Sequence, residues 1–181
     1  CTETVQKEKE LLKAFPYKEG YSLYVGIPFC PSTCLYCSFT SYSIDQFENI
    51  VQDYLEALLK ELDFVAKTYA HKELQTMYIG GGTPTSLKEE DLEYLLYEVN
   101  KRFPFSKIQE ITVEAGRPDS LNFEKLKILK KYGVTRISIN PQSMNDKTLK
   151  LIGRNHFAQD IKEKFNLARQ AGIDNINMDM I

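Results

Sequence analysis

The sequence predicts an α/β fold: a partial (β/α) TIM-like barrel with parallel strands that stops after about the fifth strand. Three observations carry that reading. Five short β-rich runs alternate with amphipathic helical patterns from residue 21 onward, and strands alternating with helices of this length pair in parallel through crossover connections. Chemistry-bearing residues recur just after the strands, where barrels of this kind collect their sites. The last β-rich run reaches the final residue with no helical pattern behind it. The expectation is that the intact protein continues. A start at Cys1 instead of Met points the same way, to an excised or trimmed chain.

Residues 1–20 read as a lead-in and 21–181 as the barrel domain. The strand runs are 21–29, 76–80, 110–114, 136–139 and 176–181, rich in β-branched and aromatic residues. Between the first two, a helix over 45–69 sets Val51, Leu55, Leu58, Leu62 and Val65, with Phe47, Ile50, Tyr54 and Tyr69, on one apolar stripe. Residues 91–102 repeat the pattern through Leu92, Leu95, Leu96 and Val99. Helices over 123–132 and 161–171 end at Gly133 and Gly172, the residue type that best stops a helix. The Lys125, Lys127, Lys130 and Lys131 run reads as a solvated helix face. Met178 and Met180 read as strand core, and His71 and His156 as surface or packing residues.

Composition narrows the function. At 181 residues the chain has the length of one domain, and 43% hydrophobic with 27% charged residues excludes collagenous, low-complexity and disordered classes. A net charge of −2 and pI near 5.8 leave no basic excess for a phosphate backbone, so no nucleic acid partner is expected. No uncharged apolar run approaches the roughly 20 residues of a membrane span, and the first 30 residues lack a signal-peptide core. The expected location is the cytoplasm.

Three of the four cysteines, Cys30, Cys34 and Cys37, fall in C-x3-C-x2-C spacing on a loop leaving the first strand. Disulfides would leave a thiol over and tie a tight knot. Short spacers let a backbone wrap three thiolates around a four-iron cubane, leaving one iron open. A structural zinc and a reactive redox thiol are the other readings. Beyond the loop, Gly80-Gly81-Gly82-Thr83 follows a strand and removes the side chains that keep a ligand from the backbone. Glu114, Gln142, Arg154 and Asp179 lie at or after successive strand ends. Carboxylates accept from amino groups and hydroxyls, and Arg grips a carboxylate through two parallel hydrogen bonds.

Tyr24-Val25-Gly26-Ile27-Pro28-Phe29-Cys30 followed by Cys34-Leu35-Tyr36-Cys37 resembles the signature of radical S-adenosylmethionine (SAM) enzymes. More narrowly, the chain resembles the oxygen-independent coproporphyrinogen III dehydrogenase group and its heme-chaperone relatives. Gly80-Gly81-Gly82-Thr83-Pro84-Thr85, Val113-Glu114-Ala115, Ser138-Ile139-Asn140-Pro141-Gln142-Ser143, Ile152-Gly153-Arg154 and Asn177-Met178-Asp179 match in the family order. The resemblance implies a radical SAM barrel with two cofactors, a 4Fe-4S cluster on Cys30, Cys34 and Cys37, and SAM. It implies Tyr36 beside the adenine and Tyr24 at the cofactor. It places Gly81, Gly82 and Thr83 on the SAM amino group, Glu114 and Arg154 on the methionine moiety, and Gln142 and Asp179 in the remaining shell.

The implied reaction takes a hydrogen from the β-carbon of a coproporphyrinogen propionate, and loss of CO2 and one electron leaves a vinyl group. Two such events yield protoporphyrinogen IX. The implied partners are the porphyrinogen substrate and an electron donor such as a flavodoxin or ferredoxin. The alternatives are a heme-delivering chaperone on the same barrel, and a piece that is inactive without the rest of its barrel. The chain departs from the best-known dehydrogenases at Phe39, where they carry a further Cys, and at Gly116-Arg117-Pro118-Asp119, where they carry an acidic Asp-Pro motif; its Gly-Arg-Pro-Asp and Asn140-Pro141-Gln142 variants most resemble the HemZ-type branch.

Overall fold

Alternation along each central strand sends one set of side chains toward the helices and the other toward the concave face of a parallel sheet. The computed structural model describes residues 2–13 and 20–181. The elements run α1 (Thr2–Leu12), β1 (Gly20–Ile27), β2 (Phe29–Cys30), β3 (Tyr42–Ser43), α2 (Ile44–Phe47), α3 (Val51–Thr68), β4 (Glu73–Gly81) and α4 (Glu89–Arg102). They continue with β5 (Glu110–Glu114), α5 (Phe123–Lys131), β6 (Arg136–Ser138), α6 (Asp146–Leu151), α7 (Ala158–Gln170) and β7 (Ile176–Asn177). The main sheet has the order β1-β4-β5-β6-β7, every pair parallel, and β2 and β3 form a separate parallel pair. This is the expected parallel α/β arrangement of a partial barrel.

The helix-facing side is a closed apolar core. Ile27, Ile79, Ile111, Val113 and Ile137 are 0% exposed and meet Leu55 of α3, Leu92, Leu95 and Leu96 of α4, and Leu126 and Leu129 of α5. The concave side carries Tyr24, Tyr78, Glu114, Ser138 and Asn177 instead, on the alternate positions of the same strands. No helix of the described residues is long and apolar enough to cross a membrane.

Several expectations are corrected. The helix over 45–69 is broken: α2 gives way to a 3-10 turn at Glu48–Ile50 before α3 begins. The Phe47 ring stays edge-on against Tyr42 of β3, 5.1 Å between centroids, and the backbone at Phe47 and Ile50 leaves the helical region. Ile50 is consequently exposed. The last strand is two residues long, not six, and Met180 keeps only an isolated bridge to Gln142. Met178 and Met180 are 39% and 63% exposed, not core, because β7 is the sheet edge; Met178 is only partly covered, beside Ile161 and Phe165 of α7. Lys125 is not on the solvated face: it is 8% exposed and donates to the carbonyls of Thr85 (2.7 Å) and Ser120 (3.1 Å), tying α5 to two strand-end loops. Of the two placements expected for His156, surface or packing, the structure has the second: it is buried, and burial followed by the neighbouring Arg154 charge pushes its pKa down.

The glycine stops hold, with φ of +77° at Gly133 and +80° at Gly172. The lead-in contains the exposed helix α1. Neither α6, whose N-cap Asn145 accepts from the Thr148 amide, nor the β2–β3 pair has an apolar period long enough to register in the sequence.

Candidate cofactor site

The cysteine loop is pinned at three places. At its neck, Phe29 and Cys30 pair with Tyr42 and Ser43, and the Tyr42 amide donates to the Pro28 carbonyl at 2.8 Å. Beneath it runs the Ile152-Gly153-Arg154 strap. The Leu35 amide donates to the Ile152 carbonyl at 3.2 Å, and a Cβ on Gly153 would stand 3.1 Å from the Leu35 side chain. Arg154 donates from Nε to the Tyr36 hydroxyl (3.1 Å) and from Nη1 to the Gly116 carbonyl (3.0 Å). On the far side Arg117, 2% exposed, donates to the Ser32 carbonyl and hydroxyl and to Cys34 Sγ at 3.4 Å.

All three thiols are free. Cys30 Sγ lies 3.4 Å from Thr83 Oγ1, and burial pushes the Cys30 pKa up while the Thr83 contact and Arg117 oppose the rise. Among the described residues no three His, Cys, Asp or Glu side chains are gathered as a single metal ion requires. The three thiols instead border one shared cavity of about 160 Å³. Thiolates serve zinc and iron-sulfur clusters alike, but the room suits a cluster of several atoms better than one tetrahedral ion, whose sulfurs sit only ~2.3 Å from the metal.

Gly81 to Thr83 form the wall of the cavity next to Cys30. The Gly82 and Thr83 amides donate to the carbonyls of Ile27 and Phe29, both at 2.7 Å. A Cβ on Gly82 would stand 2.6 Å from the Phe29 carbonyl oxygen, and Gly81 has φ +110°, so the close approach and the turn both require glycine. With those amides taken up, what the segment has left for a ligand is carbonyl oxygen, of which that of Thr83 already accepts from the Ser86 amide at 2.8 Å.

Across the floor runs a hydrogen-bonded chain over four strands, from β4 to β7. Glu114 accepts from the Gly81 amide (3.3 Å) and from Asn140 Nδ2 (3.4 Å). Asn140 Oδ1 accepts from Ser138 Oγ (2.8 Å), which accepts from Asn177 Nδ2 (3.2 Å), and Asn177 also donates to Asp179 (2.8 Å). Burial first, and Asp179 second, push the Glu114 pKa up to about 7 against the Gly81 amide and Arg154. Gln142 has φ +63°, strained for a side chain that is not glycine. It is held there by its amide on the Asp179 carbonyl and its carbonyl on the Ile181 amide, both 3.0 Å.

The cavity therefore gathers Cys30, Cys34, Cys37 and Tyr36 from the cysteine loop, Gly81 from the end of β4 with Gly82 and Thr83 just after it, and Glu114, Gln142 and Asp179 from at or after later strands, while Arg154, expected at a strand end, comes instead from the connection between α6 and α7. Of the expected site residues only Tyr24 lies outside its lining. Tyr24 is 58% exposed on the concave face, stacked on Tyr78 with centroids 5.8 Å apart, and its hydroxyl would stand 3.5 Å from a Cβ on Gly81. Cys30 and Gly81 belong to strands rather than following them, and Asp179 lies past β7 rather than in it. Arg117, Asn140 and Tyr78 are missed by sequence reasoning. Asn140 and Arg117 stand inside quoted motifs, and Tyr78 sits one alternation before the glycines. A larger cavity of about 290 Å³ at the other end of the strands, between Tyr21, Tyr69 and Phe103, has no cysteine in its lining.

Residues 24–181 match the family model of the Radical SAM superfamily. HemZ of Bacillus subtilis, an oxygen-independent coproporphyrinogen-III oxidase-like protein, is 47% identical over 167 residues, covering 91% of this chain and 33% of its own length. The heme chaperone HemW of the same organism is 44% identical over 162 residues, covering 88% of this chain and 42% of HemW. Among solved structures, coproporphyrinogen III oxidase (HemN) from Escherichia coli, a radical SAM enzyme, superposes with a TM-score of 0.78 at 28% identity, over 95% of this chain and 40% of HemN. The chain thus spans about a third to two fifths of the length of these relatives.

Proposed function

The chain belongs to the Radical SAM superfamily, which implies a 4Fe-4S cluster and SAM as its cofactors, and from that premise we propose that it carries the cofactor site of an oxygen-independent coproporphyrinogen III decarboxylase. The observation that carries the proposal is the single cavity that brings three free thiols, the glycine segment, Glu114 and Arg154 together. When bound, the cluster and SAM supply one-electron cleavage of a sulfonium C–S bond and a radical able to remove a hydrogen atom from carbon.

The chain's own residues hold and orient. Cys30, Cys34 and Cys37 ligate the cluster as thiolates, with the Thr83 hydroxyl and the Arg117 guanidinium already placed against two of the sulfurs. The Gly81-to-Thr83 segment, with Glu114, would accept from the SAM amino group. Among the described residues, two of the five N–H groups of Arg154 are committed, to Tyr36 and Gly116. Donors therefore remain for a carboxylate. Tyr36, fixed by that bond, packs on the adenine; Gln142 and Asp179 take the ribose side, and Tyr24 closes the concave face. On the substrate, a propionate that has lost a β-hydrogen atom releases CO2 and one electron to leave a vinyl group. The electron goes to an acceptor outside the chain.

The similarity to HemW favours a second reading, binding and delivery of heme by the same barrel. Anaerobic assay of the intact protein separates the two. Vinyl product from coproporphyrinogen III, dependent on SAM, supports the decarboxylase. Tight heme binding without decarboxylation selects the chaperone and ends the first reading.

A further inference from the structure

We propose that Arg117 is a positioning residue that sets how readily the cluster is reduced, acting through Cys34. The inference rests on the reading that Cys30, Cys34 and Cys37 hold a cluster.

A guanidinium has five N–H donors in a fixed fork, and here all five have acceptors. Nε donates to Asp119 Oδ1 (3.0 Å) and Nη2 to Asp119 Oδ2 (2.8 Å) and Ser32 Oγ (3.0 Å). Nη1 donates to the Ser32 carbonyl (3.1 Å) and to Cys34 Sγ (3.4 Å). Four bonds fix the plane of the fork, and the fifth is aimed at the sulfur.

The mount itself is rigid. The Arg117 carbonyl accepts from the Ser120 amide (3.0 Å) and hydroxyl (2.7 Å), and that hydroxyl meets Thr85 Oγ1 at 2.7 Å. The donor is therefore in place before any cofactor arrives, on a side chain only 2% exposed. A lysine, a point charge on a flexible stem, cannot reproduce five directed bonds.

Reduction adds one electron from an external one-electron donor and makes or breaks no bond. The added charge spreads onto the ligand sulfurs, so a cationic N–H donor on one of them stabilises the reduced form more than the oxidised one. Asp119 moderates that effect by pairing with the same cation. The Arg117–Asp119 pair is thus a setting with two opposed levers.

The test uses the intact protein, loaded anaerobically, with iron and sulfide counted before a redox titration followed by electron paramagnetic resonance. Arg117→Gln should lower the reduced-to-oxidised ratio about tenfold at the potential that half-reduces the parent protein, a shift of ~59 mV for one electron. Arg117→Lys should fall between the two. Asp119→Asn, which leaves the cation uncompensated, should move the ratio the other way. Ser32→Ala removes one anchor, keeps the sulfur contact, and should stay within about twofold. If Arg117→Gln fails to retain four irons, the opposed shifts of Arg117→Lys and Asp119→Asn decide. An unchanged ratio in a loaded Arg117 variant, or a shift of Asp119→Asn in the same direction as the Arg117 variants, overturns the proposal. A parent protein that itself takes up no cluster instead overturns the reading of the cysteine loop.

Discussion

Glu114 and Gly80 share one space: a Cβ on Gly80 would stand 2.8 Å from Glu114 Oε2 and 2.4 Å from the Tyr78 ring. The carboxylate can face the cavity only because its neighbour on β4 has no side chain. Gly80→Ala should therefore displace Glu114 and weaken SAM binding by about tenfold, roughly 1.4 kcal/mol, while cysteine-bound iron is retained. Equilibrium dialysis of SAM against the anaerobic protein, with iron counted in parallel, reads both quantities.

The raised Glu114 pKa makes a signed prediction for the cofactor-free protein. Burial lifts it from 4.5 to about 7, so between those values the folded chain holds a proton that the unfolded chain has released. Stability is then greatest below the unfolded value and falls as pH rises through about 7. The groups acting on it are Asp179 in the same sense and Arg154 in the opposite one, while its own charge acts on Tyr24 and Tyr78. Glu114→Gln should be more stable than the parent at pH 8, by at most on the order of 3 kcal/mol, with the gap closing toward pH 5. Urea midpoints across that range are the measurement.

Tyr36→Phe keeps the ring but removes the acceptor of Arg154 Nε. The expected result is a loss of about fivefold in SAM affinity, near 1 kcal/mol, with cluster content unchanged. Calorimetric titration of the anaerobic protein reads the affinity.

Lys125→Met should destabilise the chain by about 2 kcal/mol, because the Thr85 and Ser120 carbonyls lose a buried donor. A lysine on a solvated face would cost almost nothing on replacement, so the urea midpoint distinguishes the two placements.

Lys125 also shows where sequence reasoning stops. Helix periodicity places it on the polar face of α5, and nothing in that pattern records that two strand-end loops bend down to meet it. The strands β1, β4, β5 and β6 were legible because they are short runs rich in β-branched and aromatic residues, and α4 and α5 because their apolar steps are long and regular. The break before α3 was not, since Phe47 and Ile50 fit the helical period while Phe47 packs on Tyr42 and the core through contacts no local pattern records. The same limit applies to the site. The cysteines and the glycine segment are local signals, readable from spacing, and the cavity does collect them. Arg117 is a long-range signal. Its partners Ser32 and Cys34 lie 85 and 83 residues away, and no spacing rule joins a Gly-Arg-Pro-Asp turn to a cysteine loop.

The central claim is that three thiols from one loop hold a four-iron cluster with an iron left for SAM. The most direct measurement is the electron paramagnetic resonance spectrum of the dithionite-reduced, anaerobically loaded intact protein, with and without SAM, beside the Cys34→Ala variant. The account predicts about four irons per chain, a reduced-cluster signal that changes shape when SAM is added, and loss of both iron and signal in Cys34→Ala. Zinc in place of iron, a signal indifferent to SAM, or a Cys34→Ala protein that keeps its cluster would contradict it.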